Sequence, residues 1–199
     1  IIDIISGRVA GFEALARWVS PSLGVVSPGE FIPIAEHNGR IAPMTRTLLE
    51  KALEAARAWP DDVYLSFNLS PHDMTTQEGT LRILAIVEAS GINPARINFE
   101  ITETAVMHDF KQAKVSAKML RHLGASVSLD DFGTGFSSLS HVHRLPLSKL
   151  KIDGSFVRNI NEEPSSYKIV KSVLALCADM GLDTVIEGVE TENELKVLR

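Results

Sequence analysis

Polar side chains stand at or near the ends of six successive apolar segments of the 199-residue chain. They are carboxylates with one amide and one amine: Glu13, Asn68, Glu100, Glu103, Asp130, Asp131, Lys151, Asp153, Glu187 and Glu190. One such acid alone is usually a solvated turn residue or a helix cap, but polar side chains at the ends of all six segments favour a shared site. Clustered carboxylates repel each other unless cations are present. Oxygen ligands of this kind suit Mg²⁺ or Mn²⁺, with Ca²⁺ less suited to catalysis.

The adjacent pair Asp130 and Asp131 suits two metal ions, because one carboxylate can bridge the ions while its neighbour holds the second. Two-metal sites clamp the attacking and leaving oxygens of a phosphoryl transfer. An ammonium group such as that of Lys151 can orient a metal-bound water and stabilise developing charge. The alternative for Lys151 is a surface lysine near a strand end. The pattern indicates metal-dependent phosphoryl-transfer chemistry.

Other motifs point elsewhere and are set aside. Residues 131–133 spell the Asp-Phe-Gly of protein kinases, but the other kinase motifs are absent from the sequence. The glycines of residues 133–135 resemble half a dinucleotide fingerprint, with two aspartates where a pyrophosphate would lie. His141 and His143 diverge if they lie on a helix, which disfavours zinc. The single cysteine, Cys177, excludes an internal disulfide and a cysteine-based zinc site.

Charge and hydropathy limit the function classes. The net charge of −5 argues against a general nucleic-acid binder, which needs a basic face. Hydrophobic residues make up 45% of the chain, enough for a core. Apolar runs stay short of a membrane span and the start does not resemble a signal peptide. We therefore expect a cytoplasmic domain, even if the full-length protein is tethered to a membrane.

The elements that must position these side chains alternate between strands and helices. Strands are predicted over residues 9–18, 63–69, 96–101, 125–130, 149–153 and 183–188, with amphipathic helices between them and a short helix over 137–144. Such alternation predicts parallel βαβ units. A doubly wound open sheet and a closed (β/α)8 barrel both satisfy it. Polar residues at the end of every strand favour the barrel, where all strand ends face one mouth.

Seven motifs in order along the chain resemble one family. The sequence segments are GFEALARW at 11–18, FIPIAE at 31–36, NLS at 68–70, EITE at 100–103, DDFGTGFSS at 130–138, KID at 151–153 and EGVET at 187–191. Together they resemble the EAL domain, the bacterial cyclic di-GMP phosphodiesterase family. The match covers nearly the whole chain.

The resemblance implies a fold, a reaction and a cofactor. The implied fold is α/β: a modified (β/α)8 TIM-like barrel with one antiparallel strand, formed here as a single domain over 1–199 with its first strand partial and its last strand and helix absent. The implied reaction is hydrolysis of cyclic di-GMP to linear pGpG with two Mg²⁺ or Mn²⁺ ions. The implied partners are cyclic di-GMP, a second copy in a homodimer, and covalently attached sensory or GGDEF domains, with no nucleic-acid polymer.

The resemblance also implies residue roles. The metal ligands would be Glu13, Asn68, Glu100, Asp130, Asp131 and Glu187. Lys151 would contact the catalytic water, Glu190 and Asp153 would support the site, and Glu103 would steady the loop of residues 131–138. Arg17 would contact a substrate phosphate, which suits its fork of donors. Gly154 and Ile186 depart from residues common in the family.

Two other functions remain open from the sequence. One is a catalytically silent EAL module that binds cyclic di-GMP and signals to a partner; such modules normally lose metal ligands, and every expected acid is present in the sequence. The other is a barrel enzyme that acts on a different phosphorylated substrate. Turnover of cyclic di-GMP separates all three.

Overall fold

A parallel sheet curled into part of a barrel forms the centre of the molecule. The structure is a computed structural model, which describes residues 1–133, 142–158 and 160–199. Six strands lie in the order β1-β4-β5-β6-β7-β8, each parallel to its neighbours. Their bounds are β1 Gly11–Ala14, β4 Tyr64–Asn68, β5 Ile97–Thr102, β6 Ser126–Phe132, β7 Lys149–Ile152 and β8 Asp183–Ile186. The spatial order follows the chain order without reversal, which confirms the barrel-type winding over the doubly wound alternative.

Helices follow the strands and cover one face of the sheet. The α-helices are α1 Pro28–His37, α2 Ile41–Ala56, α3 Pro71–Thr75, α4 Gln77–Ser90, α5 Glu103–His108, α6 Phe110–Leu123, α7 Pro164–Met180 and α8 Glu192–Leu198, with 3₁₀ turns at Pro94–Arg96 and Gly154–Phe156. Several of them begin at side-chain caps; Ser27, Ser70 and Thr191 each accept a hydrogen bond from the first turn that follows. Of the helices described, none combines the length and apolar composition needed to cross a membrane.

Alternation along the strands decides which side chains face the helices. In β5, Ile97, Phe99 and Ile101 are buried in the hydrophobic core beneath the helices. Asn98 and Glu100, which alternate with them, are also buried but point to the opposite, inner face of the sheet. The apolar core therefore lies between sheet and helices, and the inner face of the sheet is polar.

The first predicted strand is divided in the structure. Residues 9–18 contain β1 and the start of a separate antiparallel hairpin formed by β2 (Trp18–Ser20) and β3 (Gly24–Val26). An isolated antiparallel bridge joins Ile2 to Val9 just before β1. The predicted strand over 183–188 ends at Ile186, so Glu187 stands just after it. Most of the helix predicted over 137–144 lies outside the described residues.

Candidate active site

The carboxyl ends of the parallel strands bring the predicted polar residues to one rim of the sheet. Asn68 pairs with Glu100 across β4 and β5, and Thr102 pairs with Asp130 across β5 and β6. Residues two apart on a strand share a face. The strand-end acids therefore converge on the inner face instead of scattering over the surface.

Lys151 lies at the centre of this convergence. Its Nζ is 2.7 Å from Glu100 Oε2, 2.7 Å from Glu187 Oε1 and 3.1 Å from Asp130 Oδ1. Glu13 Oε2 is a fourth neighbour at 3.8 Å. The lysine side chain is 3% exposed, so water screens these contacts only weakly. We call these five residues the Lys151 cluster.

The Lys151 cluster holds more carboxylates than its single ammonium can neutralise. Burial raises the pKa of Glu100 to about 7, although Lys151 and Ser66 favour its charged form. Burial also raises the pKa of Glu187. Burial alone would lower the pKa of Lys151, but the surrounding carboxylates, led by Glu100, outweigh it and raise that pKa above its usual value. The ammonium therefore stays charged, and the excess negative charge must be offset by protons or by added cations.

A backbone irregularity brings Asp131 beside Asp130. The register between β6 and β7 shifts between Leu129 and Phe132, and Asp131 adopts a left-handed conformation with φ of 55°. Its backbone N–H donates to Asp130 Oδ1 at 2.9 Å. Burial, then the charge of Asp130, raises the pKa of the Asp131 carboxyl. The irregularity keeps two adjacent acids on the same side, where regular alternation would separate them.

Three of these acids fit a divalent cation. One carboxylate oxygen from each of Asp130, Asp131 and Glu187 lies within 4.8 Å of the other two. Ligands on opposite sides of a Mg²⁺ ion at about 2.1 Å are about 4.2 Å apart, so small side-chain movements would suffice. All three donors are hard carboxylate oxygens, which suit Mg²⁺ and Mn²⁺. The donor set thus agrees in chemistry and in spacing with a metal site.

An amide on a neighbouring strand contacts Glu13 of the Lys151 cluster. Asn68 Nδ2 donates to Glu13 Oε1 at 2.8 Å, which joins the ends of β4 and β1. Because Glu13 also approaches Lys151, this amide links β4 to the Lys151 cluster. The sequence prediction placed both residues in the ligand set, and the structure brings them together.

A family model described as the EAL domain matches residues 1–199. The chain belongs to the EAL domain family. An uncharacterized signaling protein of Caulobacter vibrioides is 40% identical over 193 residues, covering 97% of this chain and 24% of the relative. The bifunctional diguanylate cyclase/cyclic di-GMP phosphodiesterase MucR of Pseudomonas aeruginosa is 34% identical over 197 residues, covering 97% of this chain and 29% of MucR. This EAL domain thus spans about a quarter of the length of the curated relatives it matches.

Solved EAL structures have the same fold. The MucR phosphodiesterase in complex with c-di-GMP superimposes with a TM-score of 0.89 at 34% identity, covering 96% of this chain and 79% of that chain. The EAL enzyme Bd1971, bound to cAMP and cyclic di-GMP, gives a TM-score of 0.90 at 32% identity, covering 99% and 55% respectively. The predicted barrel-type fold of this EAL domain is therefore confirmed.

Four other predicted site residues of the EAL domain lie outside the Lys151 cluster. Asp153 caps a 3₁₀ turn by accepting from Ser155 N at 2.9 Å, and its hydrogen bonds with Ser155 lower its pKa. Glu190 is exposed, and its backbone N–H donates to Glu194. Arg17 is exposed and donates to the carbonyl of Ala16 at 2.9 Å. The fourth, Glu103, is buried in the first turn of α5.

Close backbone packing holds Glu187 at the rim. Gly188 has φ of +67°, and a Cβ built on it would lie 2.7 Å from Gly154 Cα. The loops after β7 and β8 can therefore touch because both positions are glycine. Gly154, one of the two departures from residues common in the family, is one half of this contact.

Sequence reasoning missed a buried polar layer directly beneath the acids. Ser66, Asn98 and Ser128 lie two residues before Asn68, Glu100 and Asp130 on their strands, and all three are buried. The signal that could have found them is the period of two, which places them on the same inner face. The predicted loop of residues 131–138 is described only as far as Gly133, so its remainder lies outside the described residues.

Proposed function

We propose that this EAL domain hydrolyses one phosphodiester bond of cyclic di-GMP to give linear pGpG. The observation that carries the proposal is the Lys151 cluster, a buried ammonium held among four carboxylates at one barrel rim, together with Asp131 beside it. MucR, named as a cyclic di-GMP phosphodiesterase, shares the fold and about a third of the sequence. The proposal transfers that activity to this chain.

The acids would hold two Mg²⁺ or Mn²⁺ ions, as the donor chemistry favours. The proposed ligands are Glu13, Asn68, Glu100, Asp130, Asp131 and Glu187. When bound, such ions polarise the phosphodiester and lower the pKa of a coordinated water. The excess negative charge of the site would otherwise repel an anionic dinucleotide.

The side chains of the chain itself carry out the remaining tasks in this proposal. Lys151 orients the attacking water and stabilises its negative charge as it deprotonates. The water gives up one proton to solvent as its oxygen bonds to phosphorus, and the bond from phosphorus to one ribose oxygen breaks. That ribose oxygen takes a proton from solvent and leaves as a hydroxyl, so one water is consumed overall. Arg17 binds a phosphate of the substrate through its guanidinium. Glu190 and Asp153 support the site, and Glu103 steadies the loop after Asp131.

The partners of the whole protein form part of the same proposal. The MucR relative is named as bifunctional, with diguanylate cyclase as its second activity. We extend the proposal to a longer protein in which this domain is covalently joined to sensory or GGDEF domains and pairs with a second copy of itself.

A pair of lysines on one strand provides a sharp test. Turnover of cyclic di-GMP with Mg²⁺ or Mn²⁺ is measured for the wild type, Lys151→Met and Lys149→Met. We expect Lys151→Met to lose about 10²–10³-fold in turnover, the range for removing one donor that stabilises developing charge. Lys149, whose ammonium lies 3.8 Å from the ring centre of Tyr64, serves as the control and should retain activity. If the wild type binds cyclic di-GMP tightly but does not hydrolyse it, the proposed phosphodiesterase activity is contradicted. That result would indicate a catalytically silent module that senses cyclic di-GMP.

A further inference from the structure

A chain of buried hydrogen bonds runs beneath Glu100 on the inner face of the sheet. Ser66 Oγ lies 2.5 Å from Glu100 Oε1, and Asn98 Nδ2 lies 2.7 Å from Ser66 Oγ. The same Nδ2 lies 2.9 Å from Ser128 Oγ. The four side chains come from three neighbouring strands and each is at most 3% exposed. Hydrogen bonds in such a dry setting are strengthened by the low local dielectric.

The chemistry of the groups fixes the direction of these hydrogen bonds. In the ionised form that would bind a cation, Glu100 only accepts, so the single hydrogen of Ser66 is committed to Glu100 Oε1. Ser66 Oγ must then accept at its other side, and the amide of Asn98 is the donor. The second amide hydrogen of Asn98 goes to Ser128. Reversing the amide would remove the donor that Ser66 needs.

The two donor contacts of Asn98, and not its oxygen, set the orientation of the amide. Its Oδ1 is buried and has no hydrogen-bond partner among the described residues. A buried acceptor left unpaired lowers stability. Side chains that break a local rule in this way are expected where their geometry serves a site.

The two oxygens of Glu100 are thereby assigned to different partners. Ser66 holds Oε1 from below, and Lys151 contacts Oε2 at 2.7 Å. A carboxylate held at one oxygen cannot rotate freely about its last bond, so Oε2 stays directed toward the rim where Asp130 also lies.

We propose that Ser66, oriented by Asn98, is a positioning residue that holds Glu100 for metal binding. The inference rests on the proposed function only in taking Glu100 as a ligand. Partners that orient a metal ligand typically contribute about 10–100-fold to metal affinity. The hydroxyl of Ser66 thus contributes to the affinity for the cation without touching either metal or substrate.

The test measures Mn²⁺ affinity directly, without turnover. Mn²⁺ is titrated into the purified domain, and the free ion is followed by electron paramagnetic resonance. We expect Ser66→Ala to weaken Mn²⁺ binding about 10–100-fold. Asn98→Leu, which removes the donor but leaves the Ser66 hydroxyl, should weaken it in the same direction by a smaller factor.

Ser116→Ala is the matched control for losing a buried hydroxyl. Ser116 is fully buried between α3, α4 and α6, where its Oγ donates to Met74 O at 2.8 Å and lies 2.7 Å from Thr80 Oγ1. Its loss should lower the melting temperature and leave Mn²⁺ affinity unchanged. A purely structural role for Ser66 predicts the same result for Ser66→Ala.

The outcomes separate this inference from the proposed function. Normal Mn²⁺ binding by the wild type, unchanged in Ser66→Ala and Asn98→Leu, overturns the positioning role and leaves the proposed function standing. Failure of the folded wild type to bind Mn²⁺ overturns both. Weaker Mn²⁺ binding by Ser66→Ala and Asn98→Leu, but not by Ser116→Ala, supports the inference. If Ser66→Ala folds poorly, the Mn²⁺ affinity of Asn98→Leu decides the test.

Discussion

Replacing Lys151 with methionine should destabilise the metal-free domain strongly. The substitution keeps most of the length of the side chain but removes the ammonium that lies 2.7–3.8 Å from four carboxylates. Removing one partner from a buried ion pair costs about 3–5 kcal/mol, because the other charge is left uncompensated. For a domain of this length, each kcal/mol lowers the melting temperature by about 2–4 °C. The expected drop is therefore about 6–20 °C.

The control for this substitution lies two residues earlier on the same strand. Lys149 contacts the face of the Tyr64 ring, an interaction worth about 0.5–2 kcal/mol. Thermal unfolding of Lys149→Met and Lys151→Met is followed by circular dichroism in EDTA and again with saturating Mn²⁺. We expect Mn²⁺ to recover more of the loss in Lys151→Met, because a divalent ion would offset the same carboxylates.

Two results would refute the electrostatic reasoning. The first is a loss of stability in Lys151→Met that is no larger than in Lys149→Met. That result would mean that the Lys151 ammonium does not offset the repulsion among the carboxylates. The second is an equal gain from Mn²⁺ in both variants, which would place the ion away from Lys151.

Three further predictions follow from the same site. The metal-free domain should lose stability as pH rises from about 4.5 to about 7, because the raised pKa of Glu100 makes the folded state bind an extra proton in that range. Urea unfolding of Glu100→Gln at the same pH values should lack this loss. An identical pH dependence in the two proteins would contradict the prediction. Gly188→Ala should cost about 1–3 kcal/mol and weaken Mn²⁺ binding, since the position has φ of +67° and a Cβ there would meet backbone at 2.7 Å. Gly181 has the same φ, but a Cβ there would meet no atom within 4 Å, so Gly181→Ala should lose less stability and bind Mn²⁺ normally. Equal losses of stability in the two variants, measured by calorimetry, would remove the steric argument. Glu13→Ala should greatly reduce turnover of cyclic di-GMP, and unchanged turnover would remove Glu13 from the ligand set.

The strands of the barrel could be predicted because their apolar residues occur in short runs that end at polar ones. The sequence placed β4 to β8 to within two residues of their observed bounds, and the strand-end acids with them. The hairpin of β2 and β3 was missed because residues 9–18 form one run without glycine or proline between Ala14 and Trp18. Local propensity alone does not show where such a run changes partner sheet.

The geometry of the site depended on contacts between distant strands. Alternation places Asp130 on the inner face, but it would direct Asp131 outward; the left-handed backbone of Asp131 and the register shift in β6 change that. Such a conformation in a residue other than glycine has no clear sequence signal. The roles of Ser66 and Asn98 likewise depend on the register between β4 and β5, which pairs them directly.

The direct test of the central claim is the fate of cyclic di-GMP in the presence of the purified domain. The dinucleotide is incubated with the domain and Mn²⁺, with a parallel sample in EDTA, and the products are separated by reversed-phase chromatography. We expect pGpG to accumulate mole for mole as cyclic di-GMP disappears, and EDTA to stop the conversion. Intact cyclic di-GMP after incubation with a folded, Mn²⁺-loaded domain would contradict it.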